Sequence, residues 1–354
     1  MNNDPAPAPR AAEETNGTGT GWQDQHESAE AIAALAERIG EQQRRVAASR
    51  NAGLDGRIAR GQHQKQHLGA RGTLRIFDDI PPVLRSGPFV TPGTRPVACR
   101  FSSGQPCPLS DNDADVRGVA LKFFTPLDVE TDLLMTNEGG RSHARTASQF
   151  MDFADILVAR IEGGASAALQ VLISELHAGK MAPDDLPRIV AILTRETILH
   201  SVDSLATERY WGSVVALGDL AMKYSLLPHP ATAPGSDGAG RGDDYLRQDL
   251  LHRLQEGPLK WQLCVQLFVD EKRTPVNDAS IAWAGTPIAV AELEIAAPAS
   301  DADEQLINQM AFNPCNGFAP LGITHARKEV YAASARNRAR RGLLSSEQAR
   351  RFLG

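Results

Sequence analysis

The sequence predicts an α+β protein: an antiparallel β-barrel core with surrounding helices, led by an N-terminal helical arm. Two observations carry that class. Strand-like runs cluster with short turns over residues 73–135 and return at 261–295, whereas helix-spaced apolar residues fill 149–205 and the stretch after 301. Strands joined by tight turns, without strand–helix–strand alternation, point to antiparallel pairing.

The chain has 354 residues, enough for one large core or two. Its net charge of -6 argues against a general nucleic-acid binder. No apolar run reads as long enough to span a membrane. The first residues lack the apolar segment of a signal peptide, so a cytoplasmic location is expected. The cysteines Cys99, Cys107, Cys264 and Cys315 form no C-x-x-C pair and read as reduced thiols.

In chain order, residues 1–26 read as a disordered tail, rich in Ala, Pro, Gly and Thr without apolar period. The arm covers 27–58: Ile32, Leu35, Ile39 and Val46 recur at helical spacing, and a second short helical piece runs through Leu54 and Ile58. The main domain covers 59–340. Strands are expected at 73–77, 97–101, 116–124, 132–135, 261–269 and 288–295. Helices are expected at 149–161, 165–177, 184–205 and 244–254, with a loop at 228–241. Residues 341–354 read as a C-terminal tail.

Between arm and first strand lies 60–74, which packs His63 and His67, three cations and three glycines together. A titratable imidazole flanked by glycines can approach a bound group and move protons there; the same residues also read as a solvated basic loop. Two histidines four apart can share a metal on a helix, but Gly61 and Gly69 disfavour a helix and no acidic third ligand is near. Arg100 inside an apolar strand is costly unless it meets an anion.

Four pieces recur in a telling order: Arg60-x-x-His63; Arg100-Phe101-Ser102; Asp115-x-Arg117-Gly118 with its following strand; and Arg327-x-x-x-Tyr331. Together with Tyr210-Trp211, Met222-Lys223-Tyr224, Asn277-Asp278-Ala279 and Phe312-Asn313-Pro314, they resemble the haem-catalase superfamily, and within it the smaller branch of catalase-related peroxidases. The resemblance runs from Arg60 to Arg338.

It implies a catalase-like barrel holding haem b. Tyr331 would be the axial iron ligand as a phenolate, aided by Arg327 one helical turn earlier; His325 is the alternative ligand. Arg60, Arg100 and Arg338 would clasp the haem propionates, and Phe150 would flank the porphyrin. His63 would take and return the proton of a peroxide, with Ser102 fixing its tautomer. Assembly as homodimers or homotetramers is implied too.

One wall departs from the family. The family has an asparagine, a proline and an apolar-aromatic run; this chain reads Met135-Thr136-Asn137-Glu138-Gly139-Gly140-Arg141-Ser142-His143-Ala144-Arg145, with Thr136 or Asn137 in the asparagine's place. A more polar pocket suits an organic hydroperoxide or a bulkier substrate. The resulting expectation is a peroxidase-like oxidoreductase, weak as a true catalase and suited to a dedicated pathway. The alternatives are a haem-binding pseudo-enzyme or sensor and, outside haem chemistry, an oligomeric scaffold.

Overall fold

The computed structural model describes residues 28–49, 59–195, 200–234, 241–339 and 343–354. The expected tail at 1–26 and the second helical piece through Leu54 and Ile58 lie outside the described residues.

Two four-strand meanders build the barrel. The first holds β1 (Gln66–Ile76), β2 (Gly93–Ser103), β3 (Arg117–Phe124) and β4 (Glu130–Thr136); the second holds β5 (Tyr210–Leu217), β6 (Leu220–Pro228), β7 (Leu259–Leu267) and β8 (Ile288–Ile295). Antiparallel pairing of β1 with β8 and of β4 with β5 joins them into a closed eight-stranded barrel. A two-residue strand, β9 (Ala319–Pro320), adds to β5. Closure leaves no long sheet edge exposed.

The two-residue period of a strand sorts the side chains. On β2, Val97, Cys99 and Phe101 enter the barrel core, as do Val119, Leu121 and Phe123 on β3 and Leu133 and Met135 on β4. Phe101 lies 5.5 Å from Trp261 and 6.2 Å from Tyr210 between ring centroids. Each such fully buried apolar side chain stabilises the fold by about 1.5–3 kcal/mol. The same alternation turns Arg100, Ser102, Gly118, Ala120, Leu134 and Thr136 to the outer face, where they line one cavity. An arginine in an apolar strand is thus an arginine on the strand's other side.

Helices cover that face: α1 (Ala29–Ser49), α2 (Ala147–His177) and α6 (Ile323–Ala339). The apolar stripe Ile32, Leu35 and Ile39 of α1 packs against Ala147, Met151 and Ala326. Arg38 adds 2.6 Å ion pairs to Asp152 and Asp155, and Gln43 hydrogen-bonds Ser334 at 2.9 Å. The arm is therefore packed within its own chain. The remaining helices are α3 (Asp185–Leu193), α4 (Tyr245–Glu256), α5 (Asp301–Gln309) and α7 (Ser346–Leu353).

Several expected boundaries move. The first strand begins at Gln66, not at residue 73, so His67 sits inside it. The expected helix 184–205 ends at Leu193 by α3, and 200–209 is irregular. The expected tail at 341–354 holds α7, whose Ser345 and Gln348 form a capping box and whose Ala349 and Leu353 are buried. Contrary to the sequence expectation, α2 is long and apolar enough to cross a membrane by length and composition. Gly163 and Gly164 break it internally, and its first half lies under α1.

Candidate active site

A cavity of about 1300 Å³ lies between the barrel wall and the helical cover. Its size exceeds the ~300–1,000 Å³ of common small-molecule sites. His63, Ser102, Thr136, Arg60, Arg100, Phe150, Arg327, Tyr331 and Arg338 all line it. Residues spread over 278 positions of sequence are brought together because β1–β4 supply one wall and α2 and α6 the others.

His63 enters just ahead of β1 with φ +55, in the left-handed region that a non-glycine residue seldom adopts. Its backbone N–H donates to Gly104 O at 2.9 Å. The imidazole Nδ1 lies 3.1 Å from Ser102 Oγ. The ring lies against Gly118, where a Cβ would come within 2.6 Å of Cε1 and 2.9 Å of Nδ1. Burial and then the charge of Arg100 push its pKa down to about 4; Glu138 pulls upward, and Arg60 adds a smaller downward push. His63 is thus a neutral base at neutral pH.

Arg60, Arg100 and Arg338 form a cationic cluster. Burial and the neighbouring guanidiniums hold Arg60 well below its ordinary value, and burial with Arg338 brings Arg100 to about 9. Burial brings Arg338 to about 10. Arg60 donates to Asn308 O at 2.9 Å and Met310 O at 2.7 Å, and Arg100 to His63 O at 2.9 Å and Asn308 Oδ1. Among the described residues no carboxylate pairs with the three, and the buried Nε of Arg338 has no hydrogen-bond partner. Such a cluster is stabilised by a bound dicarboxylate.

Tyr331 faces the same space from α6. Burial raises its phenol pKa, and Arg327 and Arg60 oppose that rise. Arg327 acts through its charge: its guanidinium hydrogen-bonds Ser213 and lies 5.5 Å over the Phe150 ring. His325 is half-buried on α6 and does not line the cavity.

Two residues depart from their sequence roles. Asn137 turns away from the cavity: its Oδ1 accepts from Arg117 N at 2.8 Å and its Nδ2 donates to Glu208 at 2.7 Å. Strand alternation past Thr136 dictates this, so of the two candidates only Thr136 reaches the cavity. His67 is fully buried in β1, with Nε2 2.7 Å from Ser103 Oγ and Nδ1 3.6 Å from Asp111; it holds the barrel wall.

The departing wall contributes residues that sequence motifs did not flag. After Thr136 the chain turns through Gly139 (φ +65) and Gly140 (φ +78), the latter tight against the Trp211 indole. Glu138 and His143 emerge from this turn into the cavity. His143 Nδ1 lies 3.1 Å from Glu138 Oε1, and Thr136 Oγ1 donates to Glu138 Oε2 at 3.0 Å. Burial alone would raise the Glu138 pKa, but His143, Thr136 and Arg327 outweigh it and hold it below the ordinary value. Lys223, brought down to about 8 by burial and Arg327, donates to Gly140 O. For Glu138 and His143 the only sequence signal was the polar texture of 138–145.

No family model matches the chain. A catalase-related peroxidase of Mycolicibacterium paratuberculosis is 28% identical over 295 residues, covering 79% of this chain and 88% of that protein. Among solved structures, a fungal catalase superposes with a TM-score of 0.62 at 21% identity, over 80% of this chain and 59% of that one. A bacterial catalase gives 0.59 at 22%, over 80% and 58%. Catalase A from Saccharomyces cerevisiae gives 0.59 at 19%, over 80% and 62%. The chain thus spans about three-fifths of the length of these catalases, and the likeness shows a shared fold.

Proposed function

We propose, for a chain that belongs to the catalase superfamily and sides with its catalase-related branch, a haem-dependent peroxidase-like oxidoreductase using hydrogen peroxide or an organic hydroperoxide. The observation that carries the reading is one cavity lined by a neutral, oriented imidazole, a cavity-facing phenol and a cluster of three guanidiniums, Arg100 buried and Arg60 and Arg338 half-buried, that no carboxylate pairs among the described residues. These residues fit haem b: Tyr331 would ligate the iron, the cluster would bind the propionates and Phe150 would lie against the ring. Haem bound there supplies the iron that binds peroxide and holds the oxidising equivalents.

What the chain itself does is proton handling. With Nδ1–H donating to Ser102 Oγ, His63 presents a lone pair at Nε2, and a pKa of about 4 keeps it available. Nε2 takes the hydroperoxide proton and returns it to the departing oxygen. Gly118 keeps the ring in place, and Arg327 supports negative charge on Tyr331. The polar wall at Glu138, Lys223 and His143 argues against the narrow apolar approach that rapid dismutation needs, so an organic hydroperoxide is the favoured substrate. Homo-oligomeric assembly belongs to the same proposal.

Purified protein loaded with haem is expected to show a Soret band with the charge-transfer feature of tyrosinate ligation. Tyr331→Phe should lose that feature together with most bound haem. An unchanged spectrum would rule out Tyr331 as ligand, and vigorous oxygen release from hydrogen peroxide alone would overturn the peroxidase-like reading.

A further inference from the structure

The barrel wall beside His63 is a row of cross-strand neighbours. Gly118 on β3 stands opposite Thr136 on β4, and Thr136 stands opposite Trp211 on β5. All three face the cavity, and the His63 ring fills the space over Gly118. Directly opposed side chains on one face of a sheet lie about 4.5–5.5 Å apart. Thr136, half-buried and lining the cavity, is therefore the strand side chain next to the imidazole.

The Thr136 hydroxyl has one hydrogen, and its destination is fixed. Oγ1 lies 3.0 Å from Glu138 Oε2, while His143 Nδ1 lies 3.1 Å from Oε1 of the same carboxylate. Burial would raise the Glu138 pKa, but His143, Thr136 and Arg327 hold it below the ordinary value. The Lys223 ammonium and the His63 ring also lie within range of its charge. An ionised carboxylate only accepts, so the hydrogen in this contact is the one on Thr136. What remains for the cavity is the lone pairs of Oγ1. With Nδ1–H directed to Ser102, His63 likewise offers a lone pair at Nε2. An amide at position 136 would offer an N–H instead.

We propose that Thr136 is a hydrogen-bond acceptor toward the bound reactant and Glu138 its positioning residue: by holding the hydroxyl hydrogen, the carboxylate makes the wall next to His63 take a neutral hydroperoxide and turn away anions that carry no hydrogen. The inference rests on the peroxidase-like reading and assigns the polarity of its peroxide pocket. The consequence for His63 is specific. An oxygen leaving with negative charge would face lone pairs on both Thr136 and His63 and gain no stabilisation from them. The proton that Nε2 returns is then required for departure, and the neutral hydroxyl so formed has a partner in Oγ1. The loop is built to hold Glu138 still. Arg188 donates to His143 O at 3.0 Å, and Ser142 N donates to Ala279 O at 2.8 Å.

The test follows fluoride, an anion without a hydrogen, binding to the haem-loaded full chain at neutral pH by the shift of the Soret band. Thr136→Asn, which brings an amide N–H, should tighten fluoride about tenfold or more, the usual worth of a hydrogen bond to a charged group. Thr136→Val should bind it no more weakly than wild type. Glu138→Gln lets an amide N–H donate to Oγ1 and frees the Thr136 hydrogen for the cavity. It should therefore tighten fluoride by a larger factor in wild type than in Thr136→Val, where only the lost charge acts. Weaker fluoride in Thr136→Val, tightening by less than about twofold in Thr136→Asn, or an equal effect of Glu138→Gln in both backgrounds overturns the proposal. The Thr136–Glu138 bond is read separately by carbon NMR of the Glu138 carboxylate in the haem-free full chain. Thr136→Val should raise its pKa and Thr136→Ser should restore it; a titration that Thr136→Val leaves unmoved overturns the pairing. A chain that takes up no haem would sink the peroxidase-like reading, and this titration then still decides the Thr136–Glu138 pair.

Discussion

Two imidazoles share this cavity, and they differ in what orients them. His63 faces a neutral hydroxyl, Ser102, and sits under two arginine charges on a rigid barrel wall. His143 faces a carboxylate and sits among phenylalanines on a loop and helix. The first arrangement suits a base that stays neutral and shuttles a proton. The second fixes a tautomer beside an apolar surface and holds the Glu138 carboxylate. Burial and a hydrogen-bonded ring are common to both; the charge and polarity of the neighbours separate their roles.

The sharpest way to break the comparison is to remove one member. His63→Ala should cut peroxide turnover by about 10²–10⁴-fold while haem stays bound, the usual contribution of a positioned acid–base group. Stopped-flow mixing with an organic hydroperoxide, checked against the Soret band, measures it. Turnover that survives would hand the proton role to another group.

A smaller change sharpens the same point from the backbone. Gly118→Ala puts a methyl group where His63 Cε1 and Nδ1 already lie. The ring must move off the wall and away from Ser102, so kcat should fall by about 10-fold to 10²-fold from misplacement alone. Peroxide kinetics of this variant with unchanged kcat would show that the imidazole has latitude the contact distances deny.

The two imidazoles also mark what was legible in the sequence. His63 and Ser102, with Arg60, Arg100 and Tyr331, could be read because each belongs to a short motif of fixed spacing. The barrel was legible because strand runs and turns were. Two features misled. Alternation on β4 was not carried one residue further, which would have turned Asn137 inward to Arg117 and Glu208. The turn at Gly139 and Gly140 brings Glu138 back beside His143 through positive φ angles, and residue order alone does not reveal that return. The strand-like runs at β5 and β6 were noticed only as motif fragments, and 200–205, irregular in the structure, was read as helix.

The finest test couples the two members through charge. Among the causes acting on His63, burial, Arg100 and Arg60 lower its pKa and Glu138 raises it, with a net value of about 4. The deprotonated base therefore predominates at every pH above about 4. The acid limb of kcat/KM should lie near pH 4, far below the ordinary histidine value of about 6.5. Folding runs the same way: the unfolded chain takes up this proton near 6.5 and the folded one near 4, so His63 contributes stability above 6.5 that is lost as pH falls towards 4. Each rate is accordingly read alongside a check that the protein is still folded. Glu138→Gln removes the one neighbour pulling upward, so the limb should move lower still, by less than a unit. A wild-type limb at 6–7 would mean that His63 is not the desolvated base. A limb that stays unchanged in Glu138→Gln would mean that the carboxylate holding His143 does not act on His63, and that the two imidazoles work independently.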